Sequence, residues 1–443
     1  MKHLINSVDK YRKLIFETER YVWENPETGF KEYKTSAYME KVFTDLGYDI
    51  VKAEDCTGFY TVIDTKIPGP VILVLGELDS VICPAHKEAD PETGAVHSCG
   101  HNAQLAALVG IAAALKEPNA LEGLCGKIKL CAVPAEELLE IEFRSRLIEQ
   151  GKIKYYGGKT EFLHRGYFDD VDIALMVHTA SGDLPSIIKG SVGCIAKRII
   201  YKGVAAHAGG CPWNGVNALY AANCGINAAN SIRETFPEAD IIRFHPIITS
   251  GGAMVNAIPE TVTAESYVRG SSFDGILRAN KRLNRALIGG ALSLGANIEI
   301  IDRPGYAPHY NSPALMELFK EAYKIGFDQE IEIKDVLSSG STDMGDLSSV
   351  MPVIHPYSAG ASGTAHGADY QIADPEKACV DSAKWQLSAL YLLLSDNGAR
   401  AKDVIANFKP PFASKKEYLD FIDSICDDGY RIEYDGDSAK VKL

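Results

Sequence analysis

No run of about 18 consecutive apolar residues occurs in the chain, which excludes a membrane-spanning helix. The first residues, Met1-Lys2-His3-Leu4-Ile5-Asn6-Ser7, lack the continuous apolar segment of a signal peptide, so a cytoplasmic location is the expectation. Positive charge is scarce: 45 Lys and Arg stand against 59 Asp and Glu, for a net charge of −14. So acidic a chain is a poor partner for nucleic acid or an anionic membrane, and neither is expected as a ligand. The ten cysteines follow no disulfide framework. Cys125, Cys131 and Cys194 lie in apolar, strand-like runs, as reduced and buried thiols in a reducing compartment would. Internal repeats and low-complexity segments are also missing. What is present is ordinary globular material, 46% hydrophobic and 23% charged, with a mean hydropathy of −0.07. At 443 residues it exceeds one compact core, so two domains are expected.

The first half is organised around residues 96–110. Cys99 and His101 flank Gly100, and the apolar run 103–115 that follows reads as a buried helix. A thiolate and an imidazole therefore sit at a helix N-terminus, where the dipole favours the anionic sulfur. Both are ligands for transition metals. The apolar runs 71–76, 127–133 and 172–178 read as central parallel strands. They end in Glu77-Leu78-Asp79, in Glu136-Glu137 and in His178. Ligands bind beyond the carboxyl ends of such strands, so Asp79, Glu136, Glu137 and His178 are expected to converge with Cys99 and His101. Helices are expected over 3–25 and 33–47.

From about residue 191 the texture changes. Strand 192–201, helix 213–236, strands 241–249 and 261–268, helix 273–294 and strand 297–301 give the β-α-β-β-α-β order of a ferredoxin-like insert. Asp302-Arg303-Pro304-Gly305 marks the return. A helix over 314–326, a strand within 350–357 and a closing helix over 375–394 complete this part. The tail beyond 396 differs in character, with a helix near 415–426 and a hairpin turning at Asp435-Gly436. The fold class is therefore α/β, a largely parallel mixed sheet between helices with an inserted α+β lid. The expected division is 1–188 with 302–443 for the main domain and 189–301 for the inserted lid.

Eight stretches, in order and at compatible spacing over about residues 11–395, carry a resemblance to a known family. They begin with Asn25-Pro26-Glu27…Gly29-Phe30-Lys31-Glu32, His97-Ser98-Cys99-Gly100-His101-Asn102, Pro134-Ala135-Glu136-Glu137 and Gly157-Gly158-Lys159…His178. Ala206-His207-Ala208-Gly209, Val255-Asn256-Ala257-Ile258-Pro259, Gly340-Ser341-Thr342-Asp343 and Gly363-Thr364-Ala365-His366 follow. The chain resembles the aminoacylase, carboxypeptidase and hippurate-hydrolase family of dinuclear metallo-amidohydrolases. The match is closest to the branch of indole-acetyl-amino-acid and p-aminobenzoyl-glutamate hydrolases. Two departures stand out. Asp79-Ser80-Val81-Ile82 replaces the family's Asp-Ala-Leu-Pro, and the loop 82–96 is longer, at what the likeness makes a wall of the substrate site.

The resemblance implies a zinc-exopeptidase-like fold and two divalent ions, zinc or manganese. Cys99 would bridge them, with His101, Glu137, His178 and His366 as the other ligands. Asp79 would orient a histidine ligand, and Glu136 would be the general base. It further implies that His207 reaches the partner subunit's centre in a homodimer formed through the lid, with Asn256 assisting. Arg269 is a candidate clamp for a substrate carboxylate, and Gly340 and Ser341 are placed near the substrate by family position. His355, His97, His86, His245 and His309 read as structural. The expected reaction is cleavage of the amide of an N-acyl or N-aroyl amino acid. The alternatives are a dipeptidase or aminopeptidase of the same fold, or a silent relative that only binds a ligand.

Overall fold

A computed structural model describes residues 2–443. The central sheet has the strand order Val51–Lys52, Phe59–Asp64, Lys127–Val133, Val71–Glu77, Ile173–Leu175, Val353–Ile354. The last four strands run parallel, and Phe59–Asp64 runs antiparallel to both of its neighbours. Val71 pairs with Lys127 and Glu77 with Val133, so the carboxyl ends of the two longest parallel strands finish level. Six of the seven residues of Val71–Glu77 are buried, which explains its unbroken apolar run.

All fifteen residues of the helix His101–Leu115 are buried. Such a helix must be enclosed by neighbours. Arg12–Glu24 and Ser382–Leu394 supply the cover, and Gly110 allows the close approach, since a Cβ there would lie 2.8 Å from Ile15 Cδ1. The helix expected over 3–25 is broken into Lys2–Ser7, a tighter turn at Val8–Tyr11, and Arg12–Glu24. The Ser7 hydroxyl bonds back to the Leu4 carbonyl at that break.

The run 172–178 is not one strand. Ile173–Leu175 belongs to the central sheet, whereas His178–Ser181 pairs with Tyr357–Ser362 in a small sheet. The same register resumes across the gap: Val353 faces Ala174 and Tyr357 faces His178. Pro356 lies between and has no N–H to donate, so the ladder is interrupted there.

The lid sheet has the order Arg243–Phe244, Thr261–Gly270, Gly193–Lys202, Asn297–Tyr306, with Ile247–Ser250 also pairing Thr261–Gly270. The helices Ala218–Ser231 and Phe273–Ser293 pack together and against this sheet. They touch at Gly225 and Gly290, where a Cβ on Gly290 would lie 2.2 Å from the Gly225 backbone nitrogen. This is the ferredoxin-like order expected from the sequence. The tail is not a separate unit. It contains a helix, Ala399–Asn407, that periodicity did not reveal. Its end then lies along the free edge of Asn297–Tyr306. Ile300 N–H donates to the Gly429 carbonyl at 3.2 Å, Asp302 N–H to Asp427 at 2.9 Å, and Arg431 N–H to Ile298 at 2.9 Å.

Candidate metal centre and active site

The strand ends do converge. The Asp79 carbonyl accepts the Nδ1 proton of His101 at 2.8 Å, with Asp79 Oδ1 at 3.3 Å. His178 Nδ1 donates to the Thr179 carbonyl at 2.8 Å. Each bond fixes the tautomer and leaves Nε2 as the free lone pair. His178 Nε2 lies 3.5 Å from Cys99 Sγ, and His366 Nε2 lies 3.3 Å from the same sulfur and 3.0 Å from Glu137 Oε1. Two sets of ligand atoms result, Cys99–His101–His178 and Cys99–Glu137–His366, each within 4.8 Å of one another and sharing the thiol. His101 Nε2 is buried without a hydrogen-bond partner. Soft sulfur, imidazole and carboxylate donors with an orphaned lone pair among them fit divalent transition-metal ions.

Burial and the Glu137 carboxylate push the Cys99 thiol up, but His101 and His178 outweigh them and bring it down to about 6. The Glu137 charge, with bonds to Cys99 and Glu137 itself, pushes His366 up to about 11. Glu136 is raised well above the ordinary carboxyl range by burial, then by Glu77 and Glu137.

The turn that presents Glu136 and Glu137 is strained, with Ala135 at φ +55°. Side chains clamp it from several directions. Glu32 Oε1 accepts the Ala135 N–H at 2.8 Å, and Asp79 Oδ2 accepts the Glu137 N–H at 2.7 Å. Tyr306 donates to the Glu136 carbonyl, Arg144 to that of Glu137 and Tyr267 to that of Leu138. Glu32 is thus the working residue of the Gly29-Phe30-Lys31-Glu32 motif.

A cavity of about 540 Å³ opens over the two ligand sets. Arg269, Gly340 and Ser341 line it, and Arg269 donates to the Ser341 hydroxyl at 2.7 Å. His207 and Asn256 do not line it; both are exposed on a lid loop. His207 Nδ1 accepts the N–H groups of Gly209 and Gly210 at 3.1 and 2.9 Å, so the neutral ring carries its proton on Nε2. A slightly larger cavity, about 620 Å³, lies beside Phe273, Pro313 and Phe408 and holds none of these ligands.

Two sequence readings are corrected. The loop 82–96 lines no part of the metal cavity. His86 instead bonds the Tyr370 carbonyl, and Trp23 holds Glu88. The sequence placed His355 among the structural histidines; the structure puts it on the cavity wall with a buried, unpartnered Nε2. Sequence reasoning also passed over Glu77, which is fully buried with Oε2 3.2 Å from His101 Nε2. Its place as the last residue of the strand Val71–Glu77, two residues before Asp79, was the available signal.

Residues 73–391 match the family described as Peptidase family M20/M25/M40. The chain belongs to that family. As a member it is a metal-dependent hydrolase of C–N amide bonds. It is 32% identical to the Xaa-Arg dipeptidase of Homo sapiens over 283 residues, 61% of this chain and 58% of that protein. Against the Xaa-Arg dipeptidase of Mus musculus it is 27% identical over 418 residues, 91% of this chain and 88% of that one. N-acetyl-L-cysteine deacetylase of Bacillus subtilis is 28% identical over 332 residues, 70% and 72% of the two chains. The fold also matches the aminobenzoyl-glutamate utilization protein of Klebsiella pneumoniae. That match has a TM-score of 0.67 and 18% identity, over 89% of this chain and 99% of that one.

Proposed function

We propose that the chain hydrolyses the amide bond of an N-acyl or N-aroyl amino acid, or of a dipeptide, and releases a free amino acid. The observation that carries this reading is the pair of ligand sets sharing Cys99, with Glu136 beside them. Cys99 would bridge two divalent ions, zinc or manganese, with His101 and His178 on one side and Glu137 and His366 on the other. The ions, when bound, supply acidity to a water and polarise the scissile carbonyl. Glu136 takes the proton of the attacking water at a carboxylate oxygen and returns it to the leaving nitrogen. Asp79 keeps His101 in the ligating tautomer. Arg269 forks to the substrate carboxylate along the wall formed by Gly340 and Ser341.

His207 and Asn256 serve the partner subunit's centre in a homodimer, where the His207 Nε2 proton stabilises the oxyanion. The lid, residues 189–301, has a face that supports such pairing. Val255 is 99% exposed, Trp213 77% and Ile247 62%, and the edge strand Ile247–Ser250 is exposed throughout. Residues 1–188 and 302–443 form the catalytic domain. The ten cysteines are all unpaired, which suits a reducing, cytoplasmic compartment.

The test is metal-reconstituted protein incubated with a library of N-acyl amino acids and dipeptides, read by mass spectrometry. A released free amino acid is expected. Tight metal binding with no hydrolysis across the library would instead mean a silent binder. Glu136→Gln is expected to keep its metal and lose about 10²–10⁴-fold in kcat.

A further inference from the structure

Behind the metal ligands lies a buried ion triad that the proposed reaction does not use. Lys159, Glu77 and Asp343 are each 0% exposed. Lys159 Nζ lies 2.5 Å from Glu77 Oε1 and 2.5 Å from Asp343 Oδ1, and its backbone N–H donates to Asp343 Oδ2 at 2.8 Å. The second Glu77 oxygen accepts from Gln104 Nε2 at 2.7 Å and stands 3.2 Å from His101 Nε2. Two atoms that ligate one ion at about 2.0–2.2 Å sit roughly 3 Å apart, so Glu77 is within reach of whatever His101 binds. A carboxylate that took that place would fill the centre. Catalytic centres keep a coordination position open, whereas structural ones are closed.

We propose that Lys159 is a positioning residue that holds Glu77 back from the metal ions, keeping a coordination position open for water and substrate. Through Asp343 it fixes the 338–342 wall of the cavity in the same contact. The charge logic is direct. A buried ammonium between two carboxylates satisfies both, and without it the two buried anions keep only the neutral donors Gln104 Nε2 and the backbone N–H of position 159, with no cationic partner but the ions. The ions then become the compensating charge, and Glu77 moves onto them. A lysine that only supported the fold would have the opposite signature, because its loss would loosen the centre and speed metal release.

The inference rests on the amide-hydrolase reading, and wild-type turnover tests that reading separately. The experiment compares Lys159→Met with two doubles of equal net charge, Lys159→Met/Asp343→Asn and Lys159→Met/Glu77→Gln. Each is loaded with Co²⁺ and followed by its thiolate-to-cobalt absorption during release to a chelator, and kcat and KM are measured with the best substrate of the library. Lys159→Met and Lys159→Met/Asp343→Asn, which free Glu77, are expected to release metal about tenfold more slowly than the wild type and to lose kcat. Lys159→Met/Glu77→Gln is expected to recover the wild-type release rate and most of kcat, with a raised KM where the wall has loosened. If the single variant does not fold, the two doubles decide the matter. Equal release rates in the doubles, or faster release in Lys159→Met/Asp343→Asn than in the wild type, would overturn the proposal. If the wild type cleaves nothing in the library, the release rates still report on Lys159.

Discussion

At Gly100 the backbone sits at φ +88°, and a Cβ there would lie 2.5 Å from the Tyr370 hydroxyl. Both penalties fall on the residue between two proposed ligands. Gly100→Ala is expected to cost about 1–3 kcal/mol in denaturant unfolding and to weaken the thiolate-to-cobalt band. Adding Tyr370→Phe should return only the steric part, since the left-handed backbone remains. A variant as stable as the wild type would show that this turn relaxes freely. Cys99, His101, Glu137, His178 and His366 were legible in the sequence because their side chains are metal-ligating types placed at strand ends and in small-residue loops. Lys159 and Glu77 were not. A lysine reads as surface by type, and only its burial between Glu77 and Asp343 reveals its role.

At the scale of elements, the strand ends were legible because both-face burial leaves an unmistakable apolar run. The tail was not, because its contacts are with elements far away in sequence. Tyr418, on the helix Lys415–Asp423, donates to Asp346, and Tyr155 donates to Asp423 at 2.8 Å. The same tail pairs with the lid edge, so it straps lid to catalytic domain. Burial pushes Asp346 up to about 7, against the Tyr418 bond that lowers it. Its proton is held in the folded state and lost in the unfolded state between the ordinary value, 3.8, and about 7. Stability contributed through this group therefore falls as pH rises through that window. Asp346→Asn is expected to flatten the decline, so its melting temperature should drop less than that of the wild type between pH 4.5 and 7.5. Parallel curves for the two proteins would remove Asp346 from this role.

At the scale of the whole molecule, the exposed His207 and Asn256 and the apolar lid face belong to one argument. If His207 acts across the dimer, a subunit carrying His207→Ala and one carrying Glu136→Gln complement each other. Random exchange then yields one competent site in half the dimers, about a quarter of the wild-type rate. No recovered activity after exchange verified by mass spectrometry would rule out a role for His207 across the dimer. Ile247→Lys on the exposed edge strand is expected to shift the protein toward monomer in sedimentation and to lower activity with it.

The sequence by itself determined the layers, the lid's strand order and the residues that could bind metal. Each of those depends on local periodicity or on the chemistry of single side chains. Only the tertiary structure decided where His178 leaves the central sheet, that His355 faces the cavity, and that the tail closes the lid edge. It also decided that a lysine and two carboxylates meet behind the metal ligands. Those facts arise from contacts between residues far apart in the chain, where burial and charge pairing override what any one segment prefers.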